Sequence, residues 1–188
     1  MQRTAVLSLF FAFLPACSAL QSASTSQSES EVAQARFERL KSLAGEWSGP
    51  GPEEMHGAPM EVRYRVTAAG HAVEEVIMPG TDHEMVTMYH LDGGKLVLTH
   101  YCAVGNQPHM VAAADGNLDT IHFEFAGASN LASPNAGHMH EMVMTMEGKD
   151  RLKSRWTYYE DGKPGHVGAF DLTRKSDTKT SQAFSGSF

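Results

Sequence analysis

Apolar and polar residues change period once along this chain. From Glu31 to Leu43 the apolar Val32, Phe37, Leu40 and Leu43 recur at helical spacing, with Ser30 placed to cap the first turn and Gly45 just past the last. This spacing predicts one short amphipathic helix. Beyond it, alternation takes over. Met60, Val62, Tyr64 and Val66 alternate with Glu61, Arg63 and Arg65; Ile121, Phe123 and Phe125 with His122 and Glu124; Leu152, Ser154, Trp156 and Tyr158 with Lys153, Arg155 and Thr157. A period of two with one apolar face marks half-buried antiparallel strands.

Turn signals divide these runs at short intervals: Ala68-Ala69-Gly70, Pro79-Gly80, Asp92-Gly93-Gly94-Lys95, Asp115-Gly116-Asn117, Gly148-Lys149 and Asp161-Gly162-Lys163. Glycine supplies the positive backbone angles of tight hairpins. Between the turns lie about ten strands, at 46–50, 60–66, 71–78, 84–91, 95–102, 109–114, 120–125, 138–146, 151–159 and 166–174. Consecutive hairpins give an up-and-down meander, and a long meander with one apolar face closes most economically into a barrel, which removes its exposed edges. The expected fold is therefore an all-β, up-and-down antiparallel barrel of about ten strands behind one N-terminal helix, occupying residues 31–175.

The ends of the chain have a different character. Residues 1–16 carry a single Arg3, an apolar run from Ala5 to Phe13 and small residues at the exit, the layout of a secretory signal peptide and too short for a membrane-spanning helix. Leu14-Pro15-Ala16-Cys17 resembles the bacterial lipobox, which implies a lipid on Cys17 and a membrane anchored through it. Ser18 after that cysteine resembles the sorting pattern of outer-membrane lipoproteins, so the implied address is the cell envelope, facing the periplasm; ordinary cleavage between Ala16 and Ala19 would instead release the protein there. Residues 17–30 are Ser-rich and nearly free of apolar side chains, as expected of a tether. Residues 176–188 read as a disordered tail. With Cys17 lipidated, Cys102 is the one thiol left, which excludes an intramolecular disulfide and a cysteine zinc cluster.

Charge narrows the partners. Lys and Arg total 15 against 22 Asp and Glu, a net −7. Neither counterion release on nucleic acid nor attraction to anionic lipid favours such a surface, so no nucleic-acid partner is expected. The 41% hydrophobic and 20% charged content is that of an ordinary globular domain.

Leu43-Ala44-Gly45-Glu46-Trp47 resembles the Gly-x-Trp entry of calycin barrels, the lipocalins and fatty-acid-binding proteins, in which the Trp plugs the closed end beneath an Arg of the last strand. Phe170-Asp171-Leu172-Thr173-Arg174 supplies such a strand, so the resemblance assigns Trp47 and Arg174 a structural role. More narrowly, His83-Glu84-Met85-Val86-Thr87-Met88-Tyr89-His90, Leu98-Thr99-His100-Tyr101-Cys102 with Asn106-Gln107-Pro108, and His138-Met139-His140 resemble an uncharacterised bacterial domain-of-unknown-function family of lipocalin-like shape, over residues 36–174. Nitrobindin-like barrels share the Gly-x-Trp entry and hold haem through a histidine near the last strand. His166 is the histidine in that region, eight residues before Arg174, a spacing that does not match.

The meander also places the histidines. His83, His100, His109, His138, His140 and His166, together with Cys102, gather at the end away from the Trp47–Arg174 plug. His138 and His140 share parity with Met142, Met144 and Met146, and His166 with Phe170 and Leu172. Pairing across Gly93-Gly94 sets Leu91 opposite Leu96, Tyr89 opposite Leu98, Thr87 opposite His100 and Met85 opposite Cys102. The expected site is a pocket for a small hydrophobic or amphipathic molecule, lined by Thr87, Tyr89, His100, Cys102, His138, His140, Met142 and His166.

His-x-His on a strand sets two imidazoles on one face about 7 Å apart, which makes His138 and His140 the metal candidates and leaves a divalent metal or haem as a possible cofactor. Strand-end histidines bonded to loops, and methionines that simply fill a core, are the plainer alternatives. No inward carboxylate completes a catalytic zinc set at the rim, since Glu141 and Glu84 have outward parity. Of Glu74 and Glu75, at most one faces inward. An enzyme would use His100 with Cys102, which needs a depressed thiol pKa. No Ser/His/Asp arrangement or glycine phosphate loop is present, and binding without catalysis is the leading expectation.

Overall fold

The computed structural model describes residues 18–51, 58–115 and 117–176. The segment expected to be a signal peptide, Cys17 and all of the expected tail but Ser176 lie outside the described residues. Helix α1 spans Ser18–Lys41, and ten strands follow: β1 Gly45–Gly49, β2 Met60–Thr67, β3 Ala72–Ile77, β4 Met85–Asp92, β5 Lys95–Tyr101, β6 Gln107–Ala112, β7 Thr120–Ser129, β8 His138–Glu147, β9 Arg151–Glu160 and β10 Lys163–Arg174. Each strand pairs antiparallel with its chain neighbour, and β1 pairs with both β2 and β10, so the sheet is a closed barrel. The alternation locates all ten strands. The main departure is β7, which runs on to Ser129 rather than ending at 125, because Gly127, Ala128 and Ser129 extend the pairing with β6 past a bulge at Ala126 without carrying an alternating pattern.

The helix is longer than its apolar pattern. It starts at Ser18, so the expected tether is helical over residues 18–30 and Ser30 is no cap; its side chain packs instead against Gly94 in the β4–β5 hairpin. No Gly or Pro interrupts residues 18–41, and a helix nucleated by its packed half propagates through such a segment. The packed face is also rotated from the expectation. Val32 is 40% exposed, while Ala33, Phe37, Leu40 and Leu43 are buried. Arg36 lies on that buried face, and its guanidinium donates to the carbonyls of Ala113, Asp115 and Asn117, tying the helix to the β6–β7 connection. Arg39 does the same to Asp119 and to the Gly148 carbonyl.

These ties hold α1 across the end of the barrel where even strands finish, and β1 completes the closure. Trp47 is fully buried, donates its indole N–H to the Leu43 carbonyl at 2.8 Å and stands in register with Arg174 of β10. The Arg174 guanidinium lies 4.2 Å over the indole and donates to the carbonyls of Ser42, Ala44 and Lys149. Gly45 has φ +133°, and a Cβ there would stand 2.9 Å from an Arg174 nitrogen, so this approach needs glycine. Above the plug the interior is solid with side chains such as Leu98, Met110, Phe123, Met144 and Leu152. Arg174→Ala removes the cation over Trp47 and leaves three carbonyls without their donor. It is expected to cost about 3 kcal/mol in urea unfolding with an unchanged m-value.

Candidate functional site

At the opposite end the filling stops. A cavity of about 670 Å³ opens there, walled by Met60, Ile77, Met78, Met85, Met139, Trp156 and Phe170, with His83 and His166 toward solvent and His100 deeper in. The lining comes from where odd strands end and even strands begin. On β10, Lys163–Val167 are exposed and their register against β9 slips between Pro164 and Val167, which loosens this wall of the barrel.

His100, the buried polar residue of the lining, ends a polar row that runs behind the cavity wall. Strand register aligns Tyr64, Glu75, Thr87 and His100 across β2, β3, β4 and β5 as one interior row, and all four are buried. The Tyr64 hydroxyl donates to one Glu75 oxygen at 2.5 Å, and the Tyr89 hydroxyl to the other at 2.7 Å. Thr87 stands opposite Glu75 in register, and its Oγ lies 3.0 Å from His100 Nδ1. A Thr87 hydroxyl that donates to Glu75 accepts from His100 Nδ1–H, which leaves Nε2 with a bare lone pair. That Nε2 is buried without a partner among the described residues, and so is the indole N–H of Trp156. The two rings stand side by side on the cavity wall, centroids 4.6 Å apart.

Burial dominates the protonation of this row. It raises the Glu75 pKa, which the hydroxyls of Tyr64, Tyr89 and Thr87 partly counter. Both tyrosines are pushed well above their ordinary range by burial and by the adjacent carboxylate. Burial alone lowers His100 to about 4, so the ring is neutral at pH 7.

The residues expected in a pocket divide into three groups. His100 and His166 line the cavity. Thr87 and Tyr89 lie behind His100 in the polar row, and Met142 is fully buried in the solid core. His138 and His140 form a separate cluster. His138 Nε2 lies 2.9 Å from His140 Nδ1, its Nδ1 faces the Ala136 carbonyl at 2.7 Å, and His140 stacks between Phe125 and Tyr159. The β8 residue that lines the cavity is Met139, because a register shift between Met139 and Glu141 breaks the parity that connected the histidines to Met142.

With two of their ring nitrogens facing one another, His138 and His140 do not converge on a shared ion, and among the described residues no group of three or more His, Cys, Asp or Glu is placed to hold a metal. Cys102 is half-buried, and burial raises its thiol, the reverse of what a nucleophile needs. Asn106 braces the rim, donating to the Gly137 carbonyl at 2.8 Å.

Met139 and Trp156 line the cavity and were not singled out from sequence as site residues. Of Glu74 and Glu75, at most one of which was expected inward, it is Glu75 that is buried: it shares parity with buried Val73 and Ile77, and its neighbour on β4 is Thr87.

Fold and site together define a closed ten-stranded antiparallel barrel, plugged at one end and holding an apolar cavity with two unpartnered polar atoms at the other. No family model matches this chain, and no curated protein matches it.

A depressed histidine pKa contributes stability that is complete above the unfolded value near 6.5 and is lost as pH falls to the folded value near 4. Glu75, with its raised pKa, works in the opposite direction, since protonation relieves its burial. Comparison with His100→Gln isolates the histidine: between pH 7 and 4 the wild type should lose about 3 kcal/mol more unfolding free energy than the variant. Parallel pH profiles would show that His100 is not held neutral by burial.

Proposed function

We propose that this barrel binds a small apolar molecule in its open-end cavity, and that it does so in the cell envelope, tethered by a lipid on Cys17. The cavity carries the binding reading. An interior side-chain-filled for most of its length would hold a stability cost if the remaining space served nothing, since apolar voids forfeit dispersion contacts. This space is instead lined by methionines, whose flexible thioethers adapt to varied shapes, and about 670 Å³ is within the range of small-molecule sites. The neutral His100, the raised Cys102 thiol and the absence of a metal cluster among the described residues support binding rather than thiol or metal chemistry. The address rests on sequence alone: the apolar leader and the lipobox resemblance at Leu14–Cys17.

Gly168 lines the cavity, and a Cβ added there meets nothing closer than 4.0 Å, so Gly168→Met fills the space without disturbing the barrel. The neutral fluorophore N-phenyl-1-naphthylamine should bind the wild type with enhanced emission and bind Gly168→Met at least tenfold more weakly. Equal emission from both proteins would place the probe elsewhere and contradict the reading. For the address, radiolabelled palmitate should enter the full chain expressed in a bacterium and be lost in Cys17→Ala; label in both proteins would refute a lipid on that sulfur.

A further inference from the structure

We infer that the molecule this cavity is built for is neutral and carries a hydroxyl group, an alcohol or a phenol, whose oxygen sits between His100 Nε2 and the Trp156 indole N–H. The inference rests on the binding reading above and adds the chemical class. Its basis is a pair of atoms of opposite sense. His100 is 1% exposed and Trp156 2% exposed, both line the cavity, and each has one buried polar atom without a partner among the described residues. Tyr64 and Tyr89 donate to Glu75, and a Thr87 hydroxyl turned to the same carboxylate, its cross-strand neighbour, accepts from His100 Nδ1–H and makes Nε2 an acceptor. The indole N–H can only donate. With the rings 4.6 Å apart, one group that both donates and accepts can satisfy the two. A hydroxyl is the smallest such group, and it reproduces the two bonds that a water at that place would make.

Other head groups leave something unpaired. An ether or ketone accepts from Trp156 and leaves Nε2 bare, at the cost of a buried unsatisfied acceptor. A carboxylate is repelled by the lone pair on Nε2, and among the described residues no Lys, Arg, Asp or Glu lines the cavity to balance a charge of either sign. The net −7 of the chain further disfavours an anion. The row behind His100 therefore acts as a device for fixing the tautomer of a ring that faces the ligand, with Glu75 as its far end.

The test uses one ring system with four substituents. 2-Naphthol, 2-methoxynaphthalene, naphthalene and 2-naphthoate compete with N-phenyl-1-naphthylamine at pH 7. 2-Naphthol should displace the probe about tenfold more effectively than the methoxy ether, and 2-naphthoate least of all. His100→Phe and, independently, Trp156→Phe should each bring naphthol and ether to within about twofold while naphthalene binding persists; the second, milder substitution keeps the test open if the first does not fold. Equal affinity of naphthol and ether in the wild type, or tighter binding of naphthoate, overturns the hydroxyl assignment while leaving the cavity reading intact. Failure of N-phenyl-1-naphthylamine itself to bind would instead remove the binding reading on which this one rests.

Discussion

A carboxylate buried inside a barrel with no cation beside it is the constraint around which this interior is arranged. Glu75 is 1% exposed, and moving an isolated carboxylate out of water is costly unless hydrogen bonds replace the solvent. The barrel meets that cost with hydroxyls. Tyr64, Tyr89 and Thr87 reach it from the flanking strands, and strand register brings Tyr64 and Thr87 directly opposite it. With Thr87 donating to Glu75, His100 donates to Thr87 and its unpartnered Nε2 is the acceptor. In this assignment one acidic residue determines the state of an atom two strands further along the row.

The two ends of the barrel are built by different physics. At the plug, Trp47 and Arg174 lock β1 to β10, and α1 lies over the opening with its buried arginine bound to a loop. Trp47, Arg36 and Arg174 there donate to backbone carbonyls, which suits a part that only has to stay shut. At the other end the side chains are methionines, the strand ends slip in register, and among the described residues three buried polar atoms lack partners: His100 Nε2, Trp156 Nε1 and, at the rim, Asn106 Oδ1. Buried polar groups are almost always paired in folded proteins, so two adjacent exceptions on a cavity wall point to something that pairs them.

Much of this was legible in the residues. Alternation and glycine turns located ten strands because antiparallel strands with one wet face write their geometry directly into the sequence. The same pattern set Thr87 opposite His100, which the register bears out. What escaped was whatever depends on irregularity. A register slip within β8 is invisible to parity, and it replaces His138 and His140 by Met139 in the cavity. The length of α1 escaped because helix propagation through a polar segment leaves no apolar signature. Which of Glu74 and Glu75 faces inward stayed open because the two are adjacent, and the hydroxyls that receive Glu75 come from neighbouring strands whose register sets them beside it.

The chemistry of the cavity depends on where the proton of His100 sits. Nitrogen NMR of the isotope-labelled imidazole in the folded protein at neutral pH reads this directly. The expected spectrum is that of a neutral ring protonated at Nδ1, with Nε2 unprotonated and its resonance shifting when a hydroxyl-bearing ligand is added. A ring protonated at Nε2, or at both nitrogens, would contradict the role assigned to Glu75 and Thr87 and the ligand chemistry derived from it.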